Sequence, residues 1–248
     1  MVRFCAIVVV LMHIGLGAGW GSADPSVPPD ALRIGAFSQA DPAGPLPADW
    51  QLLTFPGIET HTQYRLIRDQ DALVVQAQSQ AAAAGLIRYL KFDVQHHDWL
   101  SWRWKITHVL KKGDLHRKQG DDYPARIYVA FEFEPQRASW WQRMVHAAAG
   151  ASAGRELPGT TLSYIWANRA ARGTLADNPF TDQVKMIVLQ SGNARANQWI
   201  SEKRNIVQDY RQAFGHDPPP AMGIAIMTDT DNTGESATAY YGDITLSR

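Results

Sequence analysis

Two arginines stand inside otherwise apolar alternations. Arg103 lies between Trp102 and Trp104, and Arg126 opens the run from Ala125 to Phe133. A charged side chain in such a place must be paired or must meet something polar. An outward guanidinium can fork onto a carboxylate or onto sugar hydroxyls. An inward one needs an acid such as Asp122 or Glu132, and the sequence leaves both arrangements open. Read as a groove, Arg103, Asp122, Arg126, Tyr128, Glu132 and Trp166 make a ligand-binding set suited to carbohydrate. Rings would stack on the C–H faces of a sugar while fork donors and carboxylates take its hydroxyls. Large rings more often fill cores, which is the expectation for Trp102 and Trp104 and less so for Trp166 and Trp199.

Carboxylates raise the question of catalysis. Glycoside hydrolysis needs two of them about 5–9.5 Å apart, one kept protonated. Glu132, Glu134 and Asp229 are the catalytic candidates. Glu132 and Glu134 are two apart on a strand, so both side chains point the same way at about 7 Å. That spacing permits the reaction without specifying it, because many solvated strand faces carry such pairs. The run Asp229-Thr-Asp231-Asn-Thr-Gly234 has acids at positions one and three and glycine at six. Calcium is the ion that such a loop would take. Position twelve is Tyr240 in place of the usual bidentate Glu, so Glu235 is the substitute ligand beside Asp229 and Asp231. The bland alternative is a turn rich in Asx caps.

Other motifs fall away. Gly150-Ala-Ser152-Ala-Gly154 matches the nucleophile-elbow pattern, but a helix-like run precedes it and Leu157-Pro158 follows. The elbow needs a strand before and a helix after. His96 and His97 are adjacent, so on a strand they point to opposite faces.

The elements that position these residues read as strands. Trp99–Ile106 and Ala125–Phe133 alternate with period two around the charged loop Lys111–Asp122, which predicts a hairpin with Arg103, Lys105, Arg126, Tyr128, Glu132 and Glu134 on one polar face. Further strands are expected at 50–55, 62–68, 72–79, 85–94, 161–167, 183–190, 222–228 and 237–246. Two helical excursions interrupt them. One spans 140–149; the other spans Ile206–Phe214, capped by Asn205 and stopped by Gly215. Many short strands and few helices give an all-β fold class, a β-sandwich or jelly roll with two short helical excursions.

Arg3 followed by the apolar run Phe4–Leu16 and the small residues Gly21-Ser22-Ala23 predicts a signal peptide over 1–23. The run is too short for a span of about 20 residues, so no membrane span remains after cleavage. Residues 24–48 hold six prolines and form a linker or arm; 49–248 form a single β-sandwich domain. Cleavage removes Arg3 and no acid, so 24 basic and 24 acidic residues become 23 and 24, a net charge of −1. Near-zero charge argues against nucleic acid. The only cysteine, Cys5, leaves with the leader, so the exported chain must be stable through its core.

The runs WRWK (102–105), DDYPARIYVAF (121–131), SYIW (163–166), RNIVQDYRQAFG (204–215) and MTDTDNTG (227–234) resemble an exported bacterial family catalogued as domain of unknown function 3047. The resemblance covers about residues 48–246. It implies export and carries no catalytic residue, because the family has no established activity. A closing YGDI strand is also similar to galactose-binding-type jelly rolls, by analogy alone. The expected protein is periplasmic or secreted and binds carbohydrate or another polar envelope ligand. The alternatives are a polysaccharide-active hydrolase or lyase in the same groove, and an envelope scaffold whose charged positions are buried ion pairs.

Overall fold

The computed structural model describes residues 31–140, 143–144, 150 and 156–248. The expected signal peptide, the start of the arm and most of the helix expected at 140–149 lie outside the described residues.

Among the described residues, thirteen strands build two sheets. The six-stranded sheet contains β1 (Leu32–Gly35), β3 (Gln63–Asp69), β4 (Ala72–Gln80), β6 (Trp99–Ile106), β11 (Ile200–Asn205) and β13 (Ser236–Ser247). Its order is β11-β6-β13-β4-β3, with β1 also on β13. The seven-stranded sheet runs β2 (Gln51–Leu53), β5 (Ala83–Phe92), β12 (Ala221–Asp229), β7 (Arg126–Phe131), β8 (Thr160–Ala167), β10 (Thr181–Ser191) and β9 (Leu175–Asn178). Pairings are antiparallel except β8 with β10.

The sandwich closes because each strand offers one apolar row. Trp102 and Trp104 of β6 meet Tyr164 and Trp166 of β8 across the core, with ring centroids 5.3 and 5.9 Å apart. Val129, Phe131, Ile224, Ile226 and Tyr241 fill the same layer, each at most 1% exposed. The helix α1 (Ile206–Phe214) packs Tyr210 onto Phe131 at 4.6 Å. Asn205 caps it by accepting from the Gln208 amide at 2.9 Å, and Gly215 ends it at φ 79°.

The expected hairpin of β6 and β7 is not formed: the two strands belong to different sheets. Alternation fixes which side chains face the core, but it does not say which strand lies alongside. The charged stretch between them is a crossover that folds back over the outer face of the seven-stranded sheet. There Leu115 and Tyr123 bury against Ile165, Ala167, Met186 and Val188 in a second small core. The arm is also structured where it is described. β1 pairs with β13, and Phe37 is fully buried with its ring 5.2 Å from Trp50.

Candidate functional site

Arg126 points to the outer face of the seven-stranded sheet, and the crossover seals it there at 3% exposure. Its Nε donates to Asp229 Oδ1 at 3.0 Å, and one terminal nitrogen reaches Asp229 Oδ2. The same nitrogen donates to the Asp121 carbonyl at 2.6 Å, and the Tyr123 ring lies 4.5 Å away. Burial pushes the Asp229 carboxyl up, as do Asp122 and Asp121; the Arg126 charge opposes them. Asp122, 1% exposed, accepts from the Thr233 amide at 2.6 Å and from Asn232 Nδ2 at 3.0 Å. The cluster therefore ties the crossover to the β12–β13 turn. Arg126 and Asp122 do not line a groove.

The carboxylates of Asp122, Asp229 and Asp231 each place an oxygen within 4.8 Å of the others. Glu235 is not among them. Its two oxygens accept from the backbone amides of Lys111 and Lys112 at 3.0 and 2.8 Å. Asp122 thus occupies the place in the carboxylate group that the loop spacing assigns to Glu235.

The remaining candidates are scattered. Trp166 is fully buried, with its indole donating to the Gly192 carbonyl at 3.1 Å, because the inward row of β8 is continuous. Tyr128 is half-buried on the outer face of the seven-stranded sheet. Glu132 pairs with Lys91 at 2.8 Å, whereas Glu134 pairs with Arg137 at 3.0 Å. The two glutamates are engaged by separate cations and Asp229 by Arg126.

Arg103 lies on the opposite side of the molecule, half-buried on the outer face of the six-stranded sheet. Its guanidinium carbon sits 4.7 Å from the ring centre of Trp199. Lys105, two residues on and so on the same face, is 5.2 Å from Trp199 and 4.4 Å from Tyr240. Asp69 of β3 organises the group. It accepts from Trp199 Nε1 at 2.7 Å and from Lys105 Nζ at 2.7 Å. Desolvation opposes its charge, but Lys105 and the indole hold the Asp69 carboxyl below its ordinary range. Gln76 reaches Tyr240 at 3.3 Å, and Arg65 donates to Gln76 at 2.7 Å.

The result is an aromatic–ionic platform contributed by β3, β4, β6, β13 and the approach to β11. Trp199 and Tyr240 are half-buried, 6.5 Å apart and steeply tilted at 63°. Hydrogen bonds hold the Trp199 indole nitrogen and the Tyr240 hydroxyl, and cations lie over the ring faces, so the rings are held before anything binds. Sequence reasoning found Arg103 and set Trp199 apart from the core tryptophans. It missed Asp69, Gln76, Lys105 and Tyr240 as site residues; their shared face depends on β3, β4, β6 and β13 lying side by side. Among the described residues no helix is long and apolar enough to cross a membrane.

Solved structures with some likeness include endoglucanase 3 of Trichoderma harzianum, from family GH12 (11% identity, TM-score 0.37, 81% of this chain and 98% of that one). The cellulose induced protein Cip1 follows at 9% identity and TM-score 0.33, over 80% and 91%. A third is the xyloglucanase domain of NopAA, a type three effector from Sinorhizobium fredii in complex with cellobiose, at 7%, 0.32, 84% and 99%. Scores this low carry no argument about what this chain binds. No curated protein sequence matches it. Residues 48–245 match the family described as "Protein of unknown function (DUF3047)", and the chain belongs to that family.

Proposed function

We propose that this protein is an exported glycan-binding β-sandwich of the cell envelope, and that it meets polysaccharide on the outer face of its six-stranded sheet. The observation that carries the reading is Trp199, pinned through its indole nitrogen to Asp69 at 2.7 Å beside Tyr240 and two cations. A half-exposed ring already fixed in place loses little freedom on binding. Gln76, Arg65 and Arg103 supply donors around it, as sugar hydroxyls require. The leader-like start of the sequence supports an extracytoplasmic setting, where polysaccharide is found.

The test is affinity electrophoresis of the wild type and Trp199→Ala in gels containing soluble envelope or plant polysaccharides. The expected result is retardation of the wild type by at least one polymer and a loss of at least tenfold in affinity for the variant, about 1.4 kcal/mol. Equal retardation of the two proteins defeats the reading. Product analysis on any retarding polymer separates binding from cleavage, and chain shortening would move the assignment to a hydrolase or lyase.

A further inference from the structure

Between β11, the edge of the six-stranded sheet, and β9–β10, the edge of the seven-stranded sheet, lies a cleft of about 510 Å³. That volume falls among those of small-molecule sites, about 300–1,000 Å³. Leu175, Ile187 and Leu189 give it an apolar floor, and Arg172, Glu202, Lys203 and Arg204 stand around them, with the Lys203 ammonium drawn 4.9 Å from the centre of the Trp99 ring. β11 alternates so that Ile200, Glu202 and Arg204 turn inward, and at the open end of the sandwich two of those inward positions are ionisable.

The charged groups are unevenly employed. Arg204 is taken up by Asp209, donating from Nε at 2.9 Å and from a terminal nitrogen; Asp209 also accepts from Tyr164 at 2.8 Å. Arg172 is different. Its Nε donates to the Leu189 carbonyl at 2.7 Å, which sets the guanidinium plane, and its terminal nitrogens make no ion pair among the described residues. Glu202 accepts from Gln190 Nε2 at 2.6 Å. Burial pushes its carboxyl up; Gln190 on β10, Arg172 on the β8–β9 loop and Arg195 on the β10–β11 loop act against that. The buried indole nitrogen of Trp104 faces the same carboxyl and also acts against the rise, although it has no hydrogen-bond partner of ideal geometry. The cleft thus holds an exposed planar fork without an ion-pair partner among the described residues, a carboxyl engaged by Gln190, and an apolar floor.

We propose that this cleft is a second binding site, taking a small hydroxy-carboxylate of the uronic-acid type. The ligand carboxylate would lie on the terminal nitrogens of Arg172, a ligand oxygen on Glu202, and the ring over Leu175, Ile187 and Leu189. One free guanidinium matches one carboxylate in the two-point manner; a phosphate dianion would meet Glu202 as a like charge. The site uses none of the residues of the sheet face, so the two assignments stand or fall separately.

Titration calorimetry of the protein with glucuronate, glucose and acetate at pH 5 and pH 7 tests it. Glucuronate is expected to bind saturably, with glucose and acetate at least tenfold weaker. Arg172→Gln should weaken glucuronate at least tenfold; Arg172→Lys, which keeps the charge but loses the fork, should recover only part of that. Wild-type binding should strengthen as the pH falls, because Glu202, faced by Arg172, Arg195 and Arg204 and pushed up by burial, gains its proton and becomes a donor. Glu202→Gln should bind with little dependence on pH. Melting curves report whether each variant is folded, and if Arg172→Gln is not, the affinity of Arg172→Lys decides the matter. Absence of saturable binding, equal binding of acetate or glucose, or a folded Arg172 variant with unchanged affinity overturns the proposal. Trp199→Ala should leave this titration as it is in the wild type.

Discussion

Two guanidiniums in similar sequence settings meet opposite fates. Arg126 and Arg103 each interrupt an apolar alternation, yet one is sealed against Asp229 and the other lies along Trp199. What separates them is covering chain: the crossover folds over Arg126, whereas the platform around Arg103 leaves its rings half exposed. For Asp69 the consequence is a measurable link to pH. Its folded pKa lies below the unfolded value, about 3.9, so its pairing with Lys105 and Trp199 stabilises the fold above that value. This contribution disappears as the pH falls through the folded value. Urea denaturation of the wild type and Asp69→Asn should show the variant weaker at pH 7 and the two converging as the pH falls below the ordinary carboxylate range. A gap that persists unchanged into acid would mean that the carboxylate's charge is not what matters there.

At the scale of elements, β13 carries the platform's most sensitive backbone position. The strand shifts register between Tyr241 and Ile244, and Gly242 falls in that irregularity. A Cβ on Gly242 would lie 2.5 Å from Arg103 Cγ and 2.6 Å from its Nε. The nearest obstacle is a flexible side chain, so Gly242→Ala should fold and displace Arg103 from Trp199. The expected outcome is a change in tryptophan fluorescence and weaker glycan retardation, with the melting temperature lowered by only a few degrees, about 1 kcal/mol. Unaltered emission would show that Arg103 does not rest on the ring in solution. The elements themselves were largely legible. β6 and α1 have the bounds read from periodicity and capping, because both signals are local. β11 was not, since its inward positions Glu202 and Arg204 are polar and the apolar row that marks a strand is missing. β9 is four residues long, with one large apolar side chain.

For the whole molecule, partnership between distant strands was the hidden variable. The sequence supports two-faced ribbons, but nothing in the spacing of Arg103 and Arg126 says that they lie on opposite outer faces. The same ignorance made Glu235 look like an ion ligand, although it braces the crossover through Lys111 and Lys112. The carboxylate cluster is best probed globally. Hydrogen bonds already engage both oxygens of Asp122 and of Asp229, so the melting temperature should be equal in millimolar calcium and in chelator. A rise of several degrees with calcium, abolished in Asp231→Asn, would place an ion among the three acids.

The pairing of the first described strand with the last has a mechanical meaning. Leu32 lies opposite Leu246, so chain ends entering and leaving the sandwich emerge at the same place. Tension between a tether ahead of residue 31 and cargo fused after Arg248 would open that ladder one rung at a time, like a zip, instead of shearing all rungs together. The fold would shed β1 under a light pull while the platform-bearing strands stayed laced.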